Sequence, residues 1–332
     1  MTLRQKVRDG FAGKRVVVVG DAIADQFLEG TISRVSREAP VFILRHDETN
    51  TFPGGAANAA ANVAALGGEA ILVGICGDDA NGQDLKRSLV DRNVNIDGLL
   101  EVPGHTTPTK VRVLAGHSYS TRQQVIRIDY ESSPDLDADL RQKLIEVLKH
   151  VASNANAIVV SDYDCGGVFP EIFEAAKSIA GGRGIPLVLD SRHRLTEFAG
   201  ATSATPNSEE AGQILGPNFS ADDCSLLRER LGLEALLVTN GNHGMTLFER
   251  DNERISIAAI GSDQPVDVTG AGDTVIAAYS LALAAGLSFR EAAEIANHAG
   301  GIVVMKKGTA TATAVELLTS LASEGASLAQ SK

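Results

Sequence analysis

The chain of 332 residues has no Trp, only four Tyr and ten Phe. Its core must therefore be built from Ala, Val, Leu and Ile. Cysteine is scarce as well: Cys76, Cys165 and Cys224 are odd in number and far apart. They offer neither a disulfide framework nor a zinc-ligand spacing. Basic residues are outnumbered, with 30 Lys+Arg against 42 Asp+Glu and a net charge of −12. Such a balance speaks against a nucleic-acid binder, which needs cations along the phosphates. No apolar run is long enough for a membrane span; the longest, 274–287 (TVIAAYSLALAAGL), contains Tyr279 and Ser280. The N-terminal segment is charged up to its first apolar run, unlike a signal peptide. A soluble cytoplasmic protein is expected. The chain also lacks a Walker A sequence, and no G-x-G-x-x-G follows the first apolar run, so any handling of phosphate must use another loop.

What is present is ordinary globular composition, 44% hydrophobic and 22% charged. Continuous apolar runs at 15–19 (RVVVV), 70–75 (AILVGI), 157–160 (AIVV), 186–189 (PLVL) and 235–238 (ALLV) predict fully buried strands. Helix-length segments separate them, at 55–66, 82–92, 137–151, 170–180 and 221–231, and two more follow at 272–285 and 289–304. The alternation predicts an α/β fold, a doubly wound and mostly parallel sheet in one domain over 1–322. Residues 26–46 and 109–130 break the rhythm. Alternation of Lys110, Arg112, Arg127 and Asp129 with apolar neighbours predicts a half-buried antiparallel hairpin around the turn 116–122. These strands form either a small projecting sheet or an extension of the main one. Residues 323–332 are polar and small, and are expected to fray.

The sharpest motif is 267–273, Asp-Val-Thr-Gly-Ala-Gly-Asp, followed at once by an apolar helix. Glycines allow close backbone approach, and a helix start leaves amide N–H groups unpaired. Amides of Gly270, Ala271 and Gly272 are thus suited to a phosphate or a developing anion. Asp273 beside them can take the proton of a hydroxyl while they hold the transferring phosphoryl group. The plainer reading is a Gly-rich turn with Asp273 as a helix cap.

DVTGAGDT resembles the second signature of the PfkB/ribokinase family of carbohydrate kinases, and 53–67 (PGGAANAAANVAALG) matches the first. The two lie in the family's order, and the likeness runs from VVVVGDAIAD to Gly308 and Thr309. It implies a ribokinase-like fold with a β-sheet lid, ATP and Mg²⁺ as cofactors, and a K⁺ ion near Asp267. Within the family, GDAIADQF, SRVSREAPV, TKVRVLA, QQVIRIDYE, VVSDYDCGG and ATPNSEEA resemble the kinases of heptose 7-phosphate. In bifunctional relatives a nucleotidyltransferase domain follows the kinase; a one-domain kinase is expected here.

The likeness also assigns residues. Asp21, Asp25, Gly54, Gly55 and Asn58 are expected to bind the sugar, where short polar side chains meet hydroxyls at strand ends. Lys110, Arg112 and Arg127 would clamp an existing phosphate; otherwise they are solvated edge-strand charges. Asn207 and Glu210 match an N-x-x-E element that organises Mg²⁺ through water, and are equally a helix cap and its first turn. Asp190 is a further polar site position. Thr239, Gly244, Thr269, Asn297 and His298 are assigned to the nucleotide side. One departure stands out: Cys165 occupies the place where the heptose kinases usually carry Lys. A homodimer through the lid is expected, because lid sheets leave open edges. Alternatives are kinases of ribose-like sugars, fructose phosphate or nucleosides, and a non-catalytic sugar or nucleotide sensor. An NAD-dependent dehydrogenase is disfavoured, since Gly20-Asp21-Ala22 lacks the dinucleotide fingerprint.

Overall fold

The computed structural model describes residues 1–117, 122–131, 136–250, 254–261 and 264–330, with side chains as far as 323. In chain order these form α1 (Leu3–Gly10), β1 (Arg15–Gly20), β2 (Ala22–Val35), β3 (Phe42–Gly55), α2 (Ala56–Ala65), β4 (Glu69–Gly77), α3 (Ala80–Val90) and β5 (Asn95–Val102). Next come β6 (Thr109–Gly116), β7 (Gln123–Tyr130), α4 (Ala138–Val151), β8 (Ala157–Asp162), α5 (Pro170–Arg183), β9 (Leu187–Ser191) and β10 (Ser203–Ala204). The remainder is α6 (Ser208–Leu215), α7 (Ala221–Arg230), β11 (Ala235–Thr239), β12 (Met245–Glu249), β13 (Ile255–Ile257), α8 (Ala271–Ala284), α9 (Phe289–Val303) and α10 (Ala314–Gln330).

Among the described residues, nine strands form one sheet in the order β13-β12-β11-β10-β9-β8-β1-β4-β5. It is parallel from β5 to β11, and β12 and β13 add antiparallel at one edge. Each apolar run became a central strand because both faces are covered. Val16 and Val18 point into one apolar cluster with α2, α8 and α9, and Val17 and Val19 into another with α4 and α5. All four valines are inaccessible. Strand β5, the short β10, β12 and β13, and helices α1 and α10 carry weak patterns and are not among the expected elements.

The second sheet, β3-β2-β6-β7, is the lid. Its strands are longer than expected: β2 and β3 pair over nearly their full length, from Ala22↔Gly55 to Val35↔Phe42. The pairing of β2 with β6 is parallel, not antiparallel, from Ala24↔Thr109 to Thr31↔Gly116. The two hairpins are thus joined side by side. The turn expected over 116–122 lies partly outside the described residues. Where a frayed tail is expected from 323, the backbone continues α10 to Gln330.

Strand order reverses between β1 and β8, since β4 and β5 extend one way and β9, β10 and β11 the other. The carboxyl ends of these strands diverge there and open a crevice. Asp21, Tyr163 and Arg192 stand at or just past those strand ends, and the lid strands and the start of α8 bring in the other residues of the candidate site.

Candidate active site

Asp273 lies in the first turn of α8, whose cap, Gly270, has φ 76°. That backbone favours glycine, and a Cβ at Gly270 would fall 2.5 Å from Asn58 Nδ2. The turn closes by Ala271 N–H donating to Val268 O over 3.2 Å. This corrects the expected trio of anion-binding amides: that of Ala271 is occupied. The N–H groups of Gly270, Gly272 and Asp273 have no protein acceptor among the described residues and remain at the positive end of the helix dipole.

The Asp273 carboxylate is buried, with 3% of its surface exposed. Oδ2 accepts from Asn58 Nδ2 (2.8 Å) and Oδ1 from the Tyr163 hydroxyl (2.7 Å). Burial pushes its pKa up to about 6, and the hydrogen bonds from Asn58 and Tyr163 oppose that rise. Asn58 is therefore not turned to a sugar. Its Oδ1 accepts from Asn62 Nδ2 (3.1 Å), and Asn62 Oδ1 accepts from Ala312 N–H (3.1 Å), a buried relay that steadies the base.

Asp21 also differs from expectation. Its carboxylate, just past β1, accepts three loop amides, those of Tyr163 (2.7 Å), Cys165 (3.1 Å) and Gly167 (2.7 Å). It stitches the loop after β8 to β1 across the crevice rather than facing hydroxyls. Burial nevertheless pushes it up to about 6. Asp25 accepts from Thr309 Oγ1 (2.9 Å) and pairs with the Arg112 guanidinium (3.2 Å), which lies over the Phe27 ring. Arg112 is thus committed to Asp25 and does not line the large cavity. A Cβ at Gly54 would sit 3.0 Å from Asp25 Oδ2, a tight contact against that carboxylate. Gly55, at φ 57°, turns the chain into α2.

Two cavities lie near Asp273, which lines neither: its hydrogen-bond partner Tyr163 lines one and its neighbour Gly272 the other. A cavity of about 370 Å³ lies between lid and main sheet and carries Lys110, Arg127, Arg192, Tyr163, Asn207 and Glu210. Lys110 Nζ and the Arg192 guanidinium sit 5.0 Å and 5.5 Å from the Tyr163 ring centroid. Burial, then Arg192, holds the Lys110 ammonium below its usual range. Arg127 forms a two-pronged pair with Asp129, both contacts at 2.8 Å. Asn207 and Glu210 form a reciprocal cap on α6, each side chain bonded to the other's amide. Burial raises the Glu210 carboxyl, and burial with the charge of Glu210 raises half-buried Asp190 well above the carboxylate range.

The second cavity, about 180 Å³ and mostly apolar, is shaped by Thr239, Gly244, Val275 and Val304 and reaches Ala271 and Gly272. Asn297 lines it while donating to Ala258 O (2.7 Å). His298, one residue on and about 100° round the helix, turns away and bonds Ser320 of α10 (2.7 Å). Its nucleotide assignment is corrected. Thr269 N–H donates to Asp267, which also accepts from Gly308 N–H, tying the motif to the Gly308-Thr309 turn. Burial raises Asp267, but these bonds outweigh it and hold the carboxyl below its usual range.

Two strand-end residues unassigned from sequence, Tyr163 and Arg192, prove central. Their signal was position: each follows shortly after a buried strand.

A family model described as pfkB family carbohydrate kinase matches residues 14–315. The chain belongs to this family. The kinase is 38% identical over 322 residues to "Bifunctional protein HldE" of Gluconobacter oxydans (strain 621H), covering 95% of this chain and 66% of that protein. It is 38% identical over 328 residues to the protein of the same name from Geobacter metallireducens (strain ATCC 53774 / DSM 7210 / GS-15), covering 96% and 66%. The chain therefore spans about two thirds of the length of these relatives. Among solved structures it is similar to Arabidopsis thaliana ribokinase complexed with ribose and ATP, with a TM-score of 0.70, 25% identity, and 93% and 99% of the two chains covered. No helix among the described residues is long and apolar enough to cross a membrane.

Proposed function

We propose that this carbohydrate kinase transfers the γ-phosphoryl group of ATP to a hydroxyl of a phosphorylated sugar, heptose 7-phosphate, giving heptose 1,7-bisphosphate. The observation that carries the reading is the placing of Asp273 beside amides with no protein acceptor, with Tyr163 linking it to a cavity that holds Lys110, Arg127 and Arg192 and Gly272 linking it to an apolar one. The apolar cavity suits a flat base. The cations Lys110, Arg127 and Arg192 suit the phosphate that the acceptor already bears. They also answer the departure at Cys165, because the cavity keeps three cations without the usual Lys, alongside the carboxylates of Asp129, Glu131, Glu209 and Glu210.

Asp273 takes the proton of the acceptor hydroxyl as its oxygen bonds the γ-phosphorus and the bond to the bridging oxygen breaks, releasing ADP. The amides of Gly270, Gly272 and Asp273 stabilise charge on the transferring group. Glu210 and Asn207, with Asp190 close by, offer the hard oxygen donors that would hold Mg²⁺ through water, and the ion when bound neutralises phosphate charge. We extend the proposal to a K⁺ ion beside Asp267, whose lowered pKa keeps it ionised. The free cysteines suit a reducing cytoplasm. Pairing of two chains through the lid completes the reading.

The test is ADP release over a panel of acceptors: heptose 7-phosphate, ribose, fructose, fructose phosphate and a nucleoside. Heptose 7-phosphate should give the highest kcat/KM. In Asp273→Asn, turnover should fall by about three orders of magnitude or more while ATP and acceptor still bind. Retained turnover rejects Asp273 as the base.

A further inference from the structure

The proposed chemistry leaves Tyr163 without a task, yet this side chain is fixed from four sides. Its backbone N–H donates to Asp21 Oδ2 (2.7 Å). Its ring carries Lys110 Nζ at 5.0 Å and the Arg192 guanidinium at 5.5 Å from the centroid. Its hydroxyl donates to Asp273 Oδ1 (2.7 Å). Tyr163 thus reaches from the cationic wall of the larger cavity to the carboxylate at the start of α8.

We infer that Tyr163 is a positioning residue for phosphoryl transfer: its hydroxyl orients the Asp273 carboxylate and favours its ionised form, and its ring seats the cations that meet the acceptor's phosphate. The inference rests on the reading of Asp273 as the base.

The hydroxyl must act as donor. Burial, then the charges of Asp273 and Asp190, pushes the phenol well above its usual range, so it keeps its proton. An ionised carboxylate offers about four lone-pair sites. Asn58 takes one on Oδ2 and Tyr163 one on Oδ1, which leaves a site on each oxygen for the acceptor hydroxyl. A donor aimed at the charged form favours that form. Asp25 from β2 acts against ionisation of Asp273 and Lys110 from β6 acts for it, while the charge of Asp273 helps to raise Asp190 of β9. Arg192, just past β9, lies across the Tyr163 ring.

The ring has a second use. Neither the Lys110 nor the Arg192 side chain forms an ion pair with a carboxylate among the described residues. A π face attracts a cation without neutralising it. Both charges are therefore held at the cavity and stay available to an anion. Hydroxyl and ring can be tested separately.

The carboxyl carbon of Asp273, assigned by its disappearance in Asp273→Asn, is titrated by ¹³C NMR in the wild type, in Tyr163→Phe and with 3-fluorotyrosine at 163. Loss of the hydroxyl should raise the Asp273 midpoint by about one pH unit. The fluorinated phenol, a stronger donor of the same shape, should lower it. The acid limb of kcat/KM should follow, with KM for the sugar phosphate unchanged in Tyr163→Phe. Tyr163→Leu, which also removes the ring, should raise that KM about tenfold. An Asp273 midpoint unmoved in Tyr163→Phe, or raised by the fluorinated residue, overturns the inference. A wild type that releases no ADP with any acceptor, while its Asp273 midpoint moves as described, sinks the kinase reading and leaves the Tyr163–Asp273 link standing.

Discussion

Asp273 and Asp21 share a property that ties stability to activity: burial raises both to about 6 from an ordinary 3.8. Between those values the unfolded chain has lost the protons that the folded chain keeps. Stability therefore falls as pH rises from about 4 to about 6, and the loss is complete above it. Each group contributes at most about 3 kcal/mol to that loss, at 1.36 kcal/mol per unit. In Asp273→Asn one of the two contributions is gone. Calorimetry should show Tm of the variant gaining on the wild type between pH 4 and 6, and a constant difference above 7. Activity runs the other way, since only the ionised base accepts a proton. Below pH 6, kcat/KM should fall about tenfold per unit. A difference in Tm independent of pH would contradict the buried titration.

The helix α8 shows how two glycines of one motif do different work. Gly270 has φ 76° and its Cβ would press on Asn58 Nδ2, whereas a Cβ on Gly272 meets nothing within 4 Å. Gly270→Ala should thus lower Tm and activity together, through strain and displacement of Asn58. Gly272→Ala should fold as well as the wild type or slightly better, since Ala favours helix by about 1 kcal/mol over Gly. Its added methyl stands at the rim of the apolar cavity, beside an amide meant for phosphate. We expect an unchanged Tm and a fall in kcat/KM of about tenfold or more. Thermal melts with steady-state kinetics on the two variants separate strain from crowding at the ligand. Equal losses of Tm would refute the distinction.

At the scale of the molecule, the lid leaves apolar surface uncovered. The edge strand β7 exposes Ile126 (54%) and Ile128 (42%), and Phe42 of β3 is exposed as well. An open edge with apolar residues is a surface that pairs or aggregates. Under the proposed dimer these residues meet a second copy. Sedimentation should then report a dimer for the wild type, and Ile126→Lys with Ile128→Lys should yield a monomer. A monomeric wild type at micromolar concentration removes the proposal. The second cationic feature expected of the lid, Arg112, serves cohesion instead: it binds Asp25, and Asp25 accepts from Thr309, which ties the lid strands to the Gly308-Thr309 turn.

The sequence alone determined the layers of this protein. Unbroken apolar runs bury on both faces only in a covered parallel sheet, and glycines ahead of an apolar helix leave amides that nothing local can satisfy. The family signatures placed Asp273, Gly270 and Gly272 for the same local reason. Tertiary structure decided which polar groups are already engaged. Asp21 and Asn58 read as sugar ligands because short polar residues at strand ends look alike, yet the parallel pairing of β1 with β8 turned one to three loop amides and the packing of α2 on α8 turned the other to the base. The rotation of α9 sent His298 to α10. Tyr163 and Arg192 became part of the site only because the strand order reverses beside them. Hydrogen-bond partners far apart in the chain are chosen by topology, and no local pattern encodes that choice.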